Sequence, residues 1–374
     1  MIERRELPAI AALSAAVVAV FSPLLFHLIV GSGPRIDYFQ HVELARTMAS
    51  DFTLRTPHFL FQLLVIAVEK VVGDFWRAGF VVVIASYVIL ALVLYFELRR
   101  SAPTALGLML ASPLSLLAGL DGHYYFGYIS GAIYHNPTIV LLKPLTILLF
   151  VWSARFFLSP FRASVRVITL IAIVVMLSAI AKPSYLICLL PALAVVALLR
   201  VVRRQPVDWR ALLLGVVLPS MLLLGWQYLH TYTGNGSKSS VAFAPFLVAR
   251  HYSDWLLPKF LLSIAFPLVV TIVFFRRALA DIRLGLAWLG AALGAFYFYC
   301  LIETGDLTFH GNFGWSGVIA FFVLFFAATA FLLDQWRLHP EEKWPLILST
   351  AVFCLHVISG MIWYVLSWQG RTFW

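Results

Sequence analysis

Apolar runs about as long as a bilayer is thick, separated by short connections that hold nearly all the charge, dominate this 374-residue chain. Hydrophobic residues make up 62% of it and charged residues only 12%. A water-soluble domain of this size could not cover its surface with so few polar groups, so the chain is read as a multi-span membrane protein. A spanning helix needs roughly 20 residues. Eleven such runs are expected, at 8–30, 78–97, 103–118, 138–157, 166–181, 184–200, 210–228, 258–275, 284–302, 315–333 and 345–366. The runs 103–118, 166–181 and 184–200 are near the lower length limit.

Arginine and lysine in the connections set the expected orientation. If Arg4 and Arg5 are cytoplasmic, the same side receives Arg99–Arg100, Arg162–Arg166, Arg200–Arg210, Arg276–Arg283 and Arg337–Lys343. The other side receives 31–77, 119–137, 229–257, 303–314 and the C-terminal tail, which are richer in Asp, His, Tyr, Asn and Gly. The net charge of +10 records this bias and gives no reason to expect a nucleic-acid partner. The run HFLFQLLVIAVEKVVG at 58–72 is too short to span comfortably and ends in Glu69 and Lys70, so it reads as a helix lying along the membrane surface. The loop 31–77 is therefore expected to hold two interfacial helices, near 37–50 and 58–72. The N-terminal run shows no convincing cleavage site and is read as a retained span. Cys188, Cys300 and Cys354 all fall in or at the ends of apolar runs and read as buried hydrophobes. There is no internal repeat and no expected soluble domain.

Ionisable groups gathered near one membrane face suggest a site. In GSGPRIDYFQHVELARTMASDFTLRTPHF, Gly31, Gly33 and Pro34 end the first span and Asp37 opens a helix. Asp37 and His41 lie four apart and share a face, while Glu43 points away. Pro57–His58 could close the same pocket. The stretch GLDGHYYFGYISGAIYHNPT carries Asp121, His123, His135 and Asn136, with Tyr128 and Tyr134 read as interface anchors. Lys143–Pro144 lies within a span and Lys182–Pro183 between two, and two such lysines at similar depth suit a phosphate or diphosphate. The loop 229–257 brings His230, Lys238, Arg250, His251 and Asp254, with Arg250 a phosphate-ligand candidate. ETGDLTFHGNFGW brings Glu303, Asp306, His310 and Asn312, with Glu303 suited to sugar hydroxyls or a lysine partner. No spacing demonstrates a metal site, and no HExxH, P-loop, GxSxG or CxxC occurs in a usable context.

A first span followed by a long loop with two interfacial helices, with RIDYFQHVELA at its start and LDGHYYFGY after a later span, resembles the GT-C superfamily of integral-membrane glycosyltransferases. The resemblance covers about the first 160 residues. It implies a conserved transmembrane module at 1–160 and a variable one at 161–374. It also implies an inverting transfer of sugar from a polyprenyl-phosphate-linked donor to a lipid-linked or envelope glycan acceptor. Asp37 would be the general base and Asp121 would bind or orient the acceptor. In some members a divalent cation, Mg2+ or Mn2+, takes part, for which Asp37, Asp121 and His123 would be the ligands. His41, His58, His123, His135, Asn136, Lys143, Lys182, Arg250, Glu303 and His310 would contact substrate or phosphate. The expected location is a bacterial inner membrane, with the N-terminus cytoplasmic and the site extracytoplasmic. An envelope polysaccharide polymerase using diphosphate-linked oligosaccharides, and a secondary transporter, are the alternatives.

Overall fold

A computed structural model of the chain describes residues 6–31, 37–51, 56–126, 134–158, 162–232 and 240–371. Arg4, Arg5, Gly33, Pro34, Tyr128 and Lys238 lie outside the described residues. The described fold is almost wholly helical. In chain order the helices are α1 (Leu7–Phe26, prolonged by a π turn His27–Gly31), α2 (Asp37–Asp51), α3 (Leu60–Val72), α4 (Phe75–Glu97), α5 (Ala102–Leu110), α6 (Pro137–Leu158), α7 (Val165–Ala181) and α8 (Leu186–Val202). They continue with α9 (Ala211–Tyr232), α10 (Leu247–Tyr252), α11 (Leu256–Ser263), α12 (Ala265–Val273), α13 (Phe275–Ala280), α14 (Ile282–Cys300), α15 (Gly314–Leu338) and α16 (Lys343–Trp368). Strands β1 (Val241–Phe243) and β2 (Leu301–Glu303) pair antiparallel, with Val241 opposite Glu303.

Seven helices are long and apolar enough to cross a bilayer: α1, α4, α6, α9, α14, α15 and α16. The pair α11–α12, bent by 64°, makes an eighth if it is one span. The expected runs 166–181 and 184–200 appear as α7 and α8, of 17 residues each. The expected span 103–118 is corrected: its helix α5 has nine residues and cannot cross. Pro113, which has no N–H, follows the helix end, and the chain there turns onto α16. The Ser112 N–H donates to His356 O at 3.1 Å, and Ser359 Oγ donates to Pro113 O at 2.6 Å. Gly360 permits this approach, since a Cβ there would lie 1.6 Å from Leu110 O. The helices α2 and α3 match the two short helices expected in the first loop, and neither is long enough to span.

The centre of the bundle is α15, buried along nearly its whole length. It packs closely against α14 because glycines face each other: a Cβ on Gly294 would lie 3.0 Å from Ser316 O, and one on Gly317 would lie 3.1 Å from Gly294 O. Charged groups gather at the C-terminal end of α15. Asp334 accepts from Arg99 and, at 2.8 Å, from Arg283, while Arg277 pairs with Glu342 and Arg100 with Glu6 at 2.6 Å. The expected basic connections around 99–100, 276–283 and 337–343 are thus brought to one end. Trp315, at the start of α15, lies roughly 28 Å from Asp334 at 1.5 Å rise per residue.

Candidate functional site

Around Trp315, opposite the arginine end, four connections converge. The first is the start of α2. Asp37 lies in its first turn, where a carboxylate complements the helix dipole. The second is the start of α6, in the motif His135–Asn136–Pro137–Thr138. Asn136 caps α6: its Oδ1 accepts the Ile139 N–H at 3.0 Å and the Thr138 hydroxyl at 2.8 Å. Pro137 occupies the first helical turn, where a missing N–H costs nothing. The other end of the same amide, Nδ2, donates to Asp37 Oδ2 at 2.5 Å. One side chain therefore starts a span and fixes a carboxylate 99 positions away in sequence.

The third connection is the end of α7. Lys182 leaves the helix in extended conformation, followed by Pro183, which cannot continue it. Its Nζ donates to Thr138 Oγ1 at 3.3 Å and stands 4.8 Å above the Trp315 ring. The fourth is the segment before α3, where His58 lies 3.5 Å from Thr56 Oγ1. His41, one turn along α2 from Asp37, accepts at Nδ1 from Gln62 Nε2 of α3 at 2.9 Å, so a neutral ring carries its proton on Nε2. His135 is buried beside Trp315, ring centres 5.8 Å apart.

Electrostatics bind these groups into one unit. Burial lowers His41 to about 4; the Lys182 ammonium lowers it further and the Asp37 carboxylate opposes. Burial, then Lys182 and His41, lowers His58 to about 3. Burial lowers His135 to about 4, with Asp37 opposing and Lys182 assisting. Lys182 is lowered to about 8 by burial, with Asp37 opposing. Near neutral pH the cluster thus holds three neutral imidazoles and a mostly cationic lysine.

Gln227 of α9 ties two of the connections together, its amide donating to Pro57 O and Ala179 O at 2.8 Å each. These residues flank His58 and Lys182. Thr138, Trp315, Gln62 and Gln227 were not singled out in the sequence. Gln62 and Gln227, each a polar residue in an apolar run, carried a visible signal.

Lys143 engages a different ring. It is buried within α6, with Nζ 5.2 Å from the Phe322 ring centre. Phe322 lies two turns beyond Trp315 on α15, about 10 Å along the helix.

Asp121 belongs to a second cluster. Both its oxygens accept from Lys259 Nζ, at 2.7 and 2.8 Å, and Oδ1 also accepts the His123 N–H at 2.9 Å. Lys259 is fully buried in α11, donates to Ser253 Oγ as well, and stands 5.4 Å from the Tyr125 ring centre. Ser253 in turn donates to His123 O at 2.9 Å. Partial burial raises the Asp121 carboxyl, but Lys259 and the His123 amide outweigh it and hold the group below its ordinary range. Lys259 was hidden in the sequence as part of the apolar run 258–275.

Glu303 accepts from the Tyr232 hydroxyl at 2.9 Å and from the Asn312 amide, which holds the β2 turn to α9. His310 is exposed, and its backbone N–H closes the turn onto Leu307 O at 3.0 Å. Arg250 is exposed over the Phe246 ring, at 5.7 Å.

The expected cation ligands Asp37, Asp121 and His123 do not form a ligand group, because Asp37 joins Asn136 and Asp121 is taken by Lys259. Among the described residues, one trio has ligand atoms close enough to hold a divalent ion: His339, Glu341 and Glu342, within 4.8 Å of one another between α15 and α16. It lies at the arginine end, at least partly open to solvent, with Glu342 already paired to Arg277.

No protein-family model, curated protein or solved structure matches the chain.

Proposed function

We propose that this integral membrane protein is an inverting glycosyltransferase acting at its extracytoplasmic face on a polyprenyl-phosphate-linked sugar, with Asp37 as general base. The observation that carries the reading is the convergence of Asp37, Asn136, Lys182, His41, His58 and His135 from four connections at one end of the bundle.

Transfer with inversion needs a base at the attacking hydroxyl and positive charge at the departing phosphate. Asp37 is held by a neutral amide, which orients the carboxylate while leaving its charge in place. It takes the acceptor hydroxyl's proton as the new glycosidic bond forms on one face of the sugar. The bond to the donor phosphate breaks on the other face, and the phosphate leaves with the electron pair beside Lys182. Neutral histidines donate N–H groups to phosphate oxygens without adding charge that would compete with Lys182. The Trp315 face, besides holding the ammonium, suits an apolar sugar face. Asp121 is assigned here to anchoring the loop through Lys259.

The test is mass spectrometry of lipid products from proteoliposomes given polyprenyl-phospho-sugars and a bacterial lipid extract. A sugar-sized mass added by the unaltered protein and absent with Asp37→Asn is expected. A fully active Asp37→Asn protein sinks the general-base role.

A secondary transporter is the second reading, favoured by the bent α11–α12 pair, because interrupted helices line transporter sites. Solute accumulation in vesicles without any covalent product would favour it.

A further inference from the structure

We propose that the cavity between α10, α11 and the last turns of α14 is a binding site for a zwitterionic membrane phospholipid, its phosphate on Arg250 and its primary ammonium on Asp254. The cavity measures about 710 Å³, and its walls include Phe246, Trp255, Leu257 and Tyr299. That is room for a headgroup and the first part of a chain.

The position suits a lipid. Ala295, Tyr299 and Cys300 in the wall belong to the end of α14, where the helix gives way to β2, so the cavity opens at the level where a spanning helix leaves the apolar layer. Trp255 and Leu257 are each 68% exposed, which in a membrane protein is surface for acyl chains.

The polar groups supply the selectivity. Four charges lie at or behind this wall, and two of them neutralise each other: Lys259 is buried and spends its hydrogen bonds on Asp121 and Ser253. Ser253, which also lines the cavity, is occupied by Lys259 and His123 O. Arg250 and Asp254 remain. Both line the cavity, both are exposed, and neither side chain has an ion-pair partner among the described residues. The Arg250 guanidinium is steadied over Phe246 and keeps its donors for a phosphate. A carboxylate beside it would repel a purely anionic headgroup and accept hydrogen bonds from an ammonium. One cation and one anion on an apolar cavity match phosphatidylethanolamine better than phosphatidylglycerol.

The backbone shows that this wall is built at a cost. Phe246 and Trp255 both have positive φ, 62° and 57°, a conformation that bulky L residues avoid. They bracket α10, and both rings line the cavity.

The experiment uses the full chain, freed of co-purified lipid and returned to nanodiscs holding equal phosphatidylethanolamine and phosphatidylglycerol. Lipids retained after detergent extraction are counted by native mass spectrometry. The unaltered protein should retain about one phosphatidylethanolamine and prefer it roughly tenfold, as one charge-assisted hydrogen bond allows. Asp254→Asn should erase the preference, and Arg250→Gln should lower retention of both lipids. Both side chains are exposed, so unchanged melting curves serve as the folding control. Retention in the ratio of the surrounding bilayer, or a preference that survives both substitutions, overturns the assignment. Replacing the ethanolamine lipid by phosphatidylcholine should weaken retention, because a quaternary ammonium has no N–H. Equal retention of the two overturns the ammonium–Asp254 contact. No outcome depends on sugar transfer.

Discussion

Asp37 and Asp121 are the same residue type in similar sequence settings, each just after a run of apolar residues and followed within four positions by a histidine. The fold treats them in opposite ways. Asp121 meets a buried ammonium through both oxygens, so its charge is consumed in holding the 121–126 segment to α11. Asp37 meets the amide of Asn136, which has no charge to cancel it, with the Lys182 ammonium engaged by Thr138 and Trp315. A carboxylate available for proton transfer must be oriented without being neutralised, and only the partners of Asp37 achieve that. The comparison teaches that a pair of acidic residues in a sequence is not yet a pair of catalytic groups.

Four measurements test this contrast. The largest effect is expected for Asp37→Asn, which should lower product formation about 10²- to 10⁴-fold, the range of a lost general base, with little change in melting temperature. Asp121→Asn should do the reverse, keeping most activity and losing stability. Equal activity losses would erase the distinction. Next, Lys259→Ala should destabilise the protein by about 3 kcal/mol, at the low end for a broken buried pair because Asp121 is partly hydrated. Adding Asp121→Asn should recover part of that loss, read as a coupling in thermal unfolding. Third, Lys182→Gln should weaken retention of a polyprenyl phosphate by about tenfold. In the unaltered protein the same retention should fall as pH rises through about 8, where Lys182 gives up its proton. A flat pH profile would remove Lys182 from the anion's reach.

The smallest effect concerns the histidines. His41 and His135 are lowered to about 4 and His58 to about 3, below the unfolded value of 6.5. As pH falls below about 6.5, the unfolded chain binds protons that these rings refuse, so stability drops toward pH 4. The loss should be about half a kcal/mol per ring by pH 6 after allowing for solvent. His41→Gln should flatten part of that slope in thermal unfolding; an unchanged slope would place the titration elsewhere.

Much of the Asp37 end could be read from local chemistry. The polar stretch between α1 and α4, with Asp37 and His41 one turn apart and the short apolar run 58–72, produced α2 and α3 close to their observed bounds. Asn-Pro before an apolar run is a helix start, and Lys-Pro after one is a helix end. What could not be read was which connection meets which. The Asn136–Asp37 bond spans 99 positions and Lys259–Asp121 spans 138, and nothing in composition or periodicity encodes such pairings. Hydropathy also misjudged α5. Its run stays apolar to 118, but the helix stops where Pro113 follows and the backbone turns onto α16. The long apolar runs otherwise gave the helices, because a bilayer admits few alternatives.

The polar node beneath α5 has a consequence for biogenesis. One ring, His356, accepts the Phe266 N–H at the break between α11 and α12 and donates to Ser112 O beyond α5. Those backbone groups sit in apolar surroundings and find this partner on α16, a helix synthesised after both of them. Two interrupted segments synthesised early therefore keep polar groups without their final partner until α16 arrives. The membrane region cannot mature strictly in order of synthesis: a later-made helix completes parts that were inserted before it.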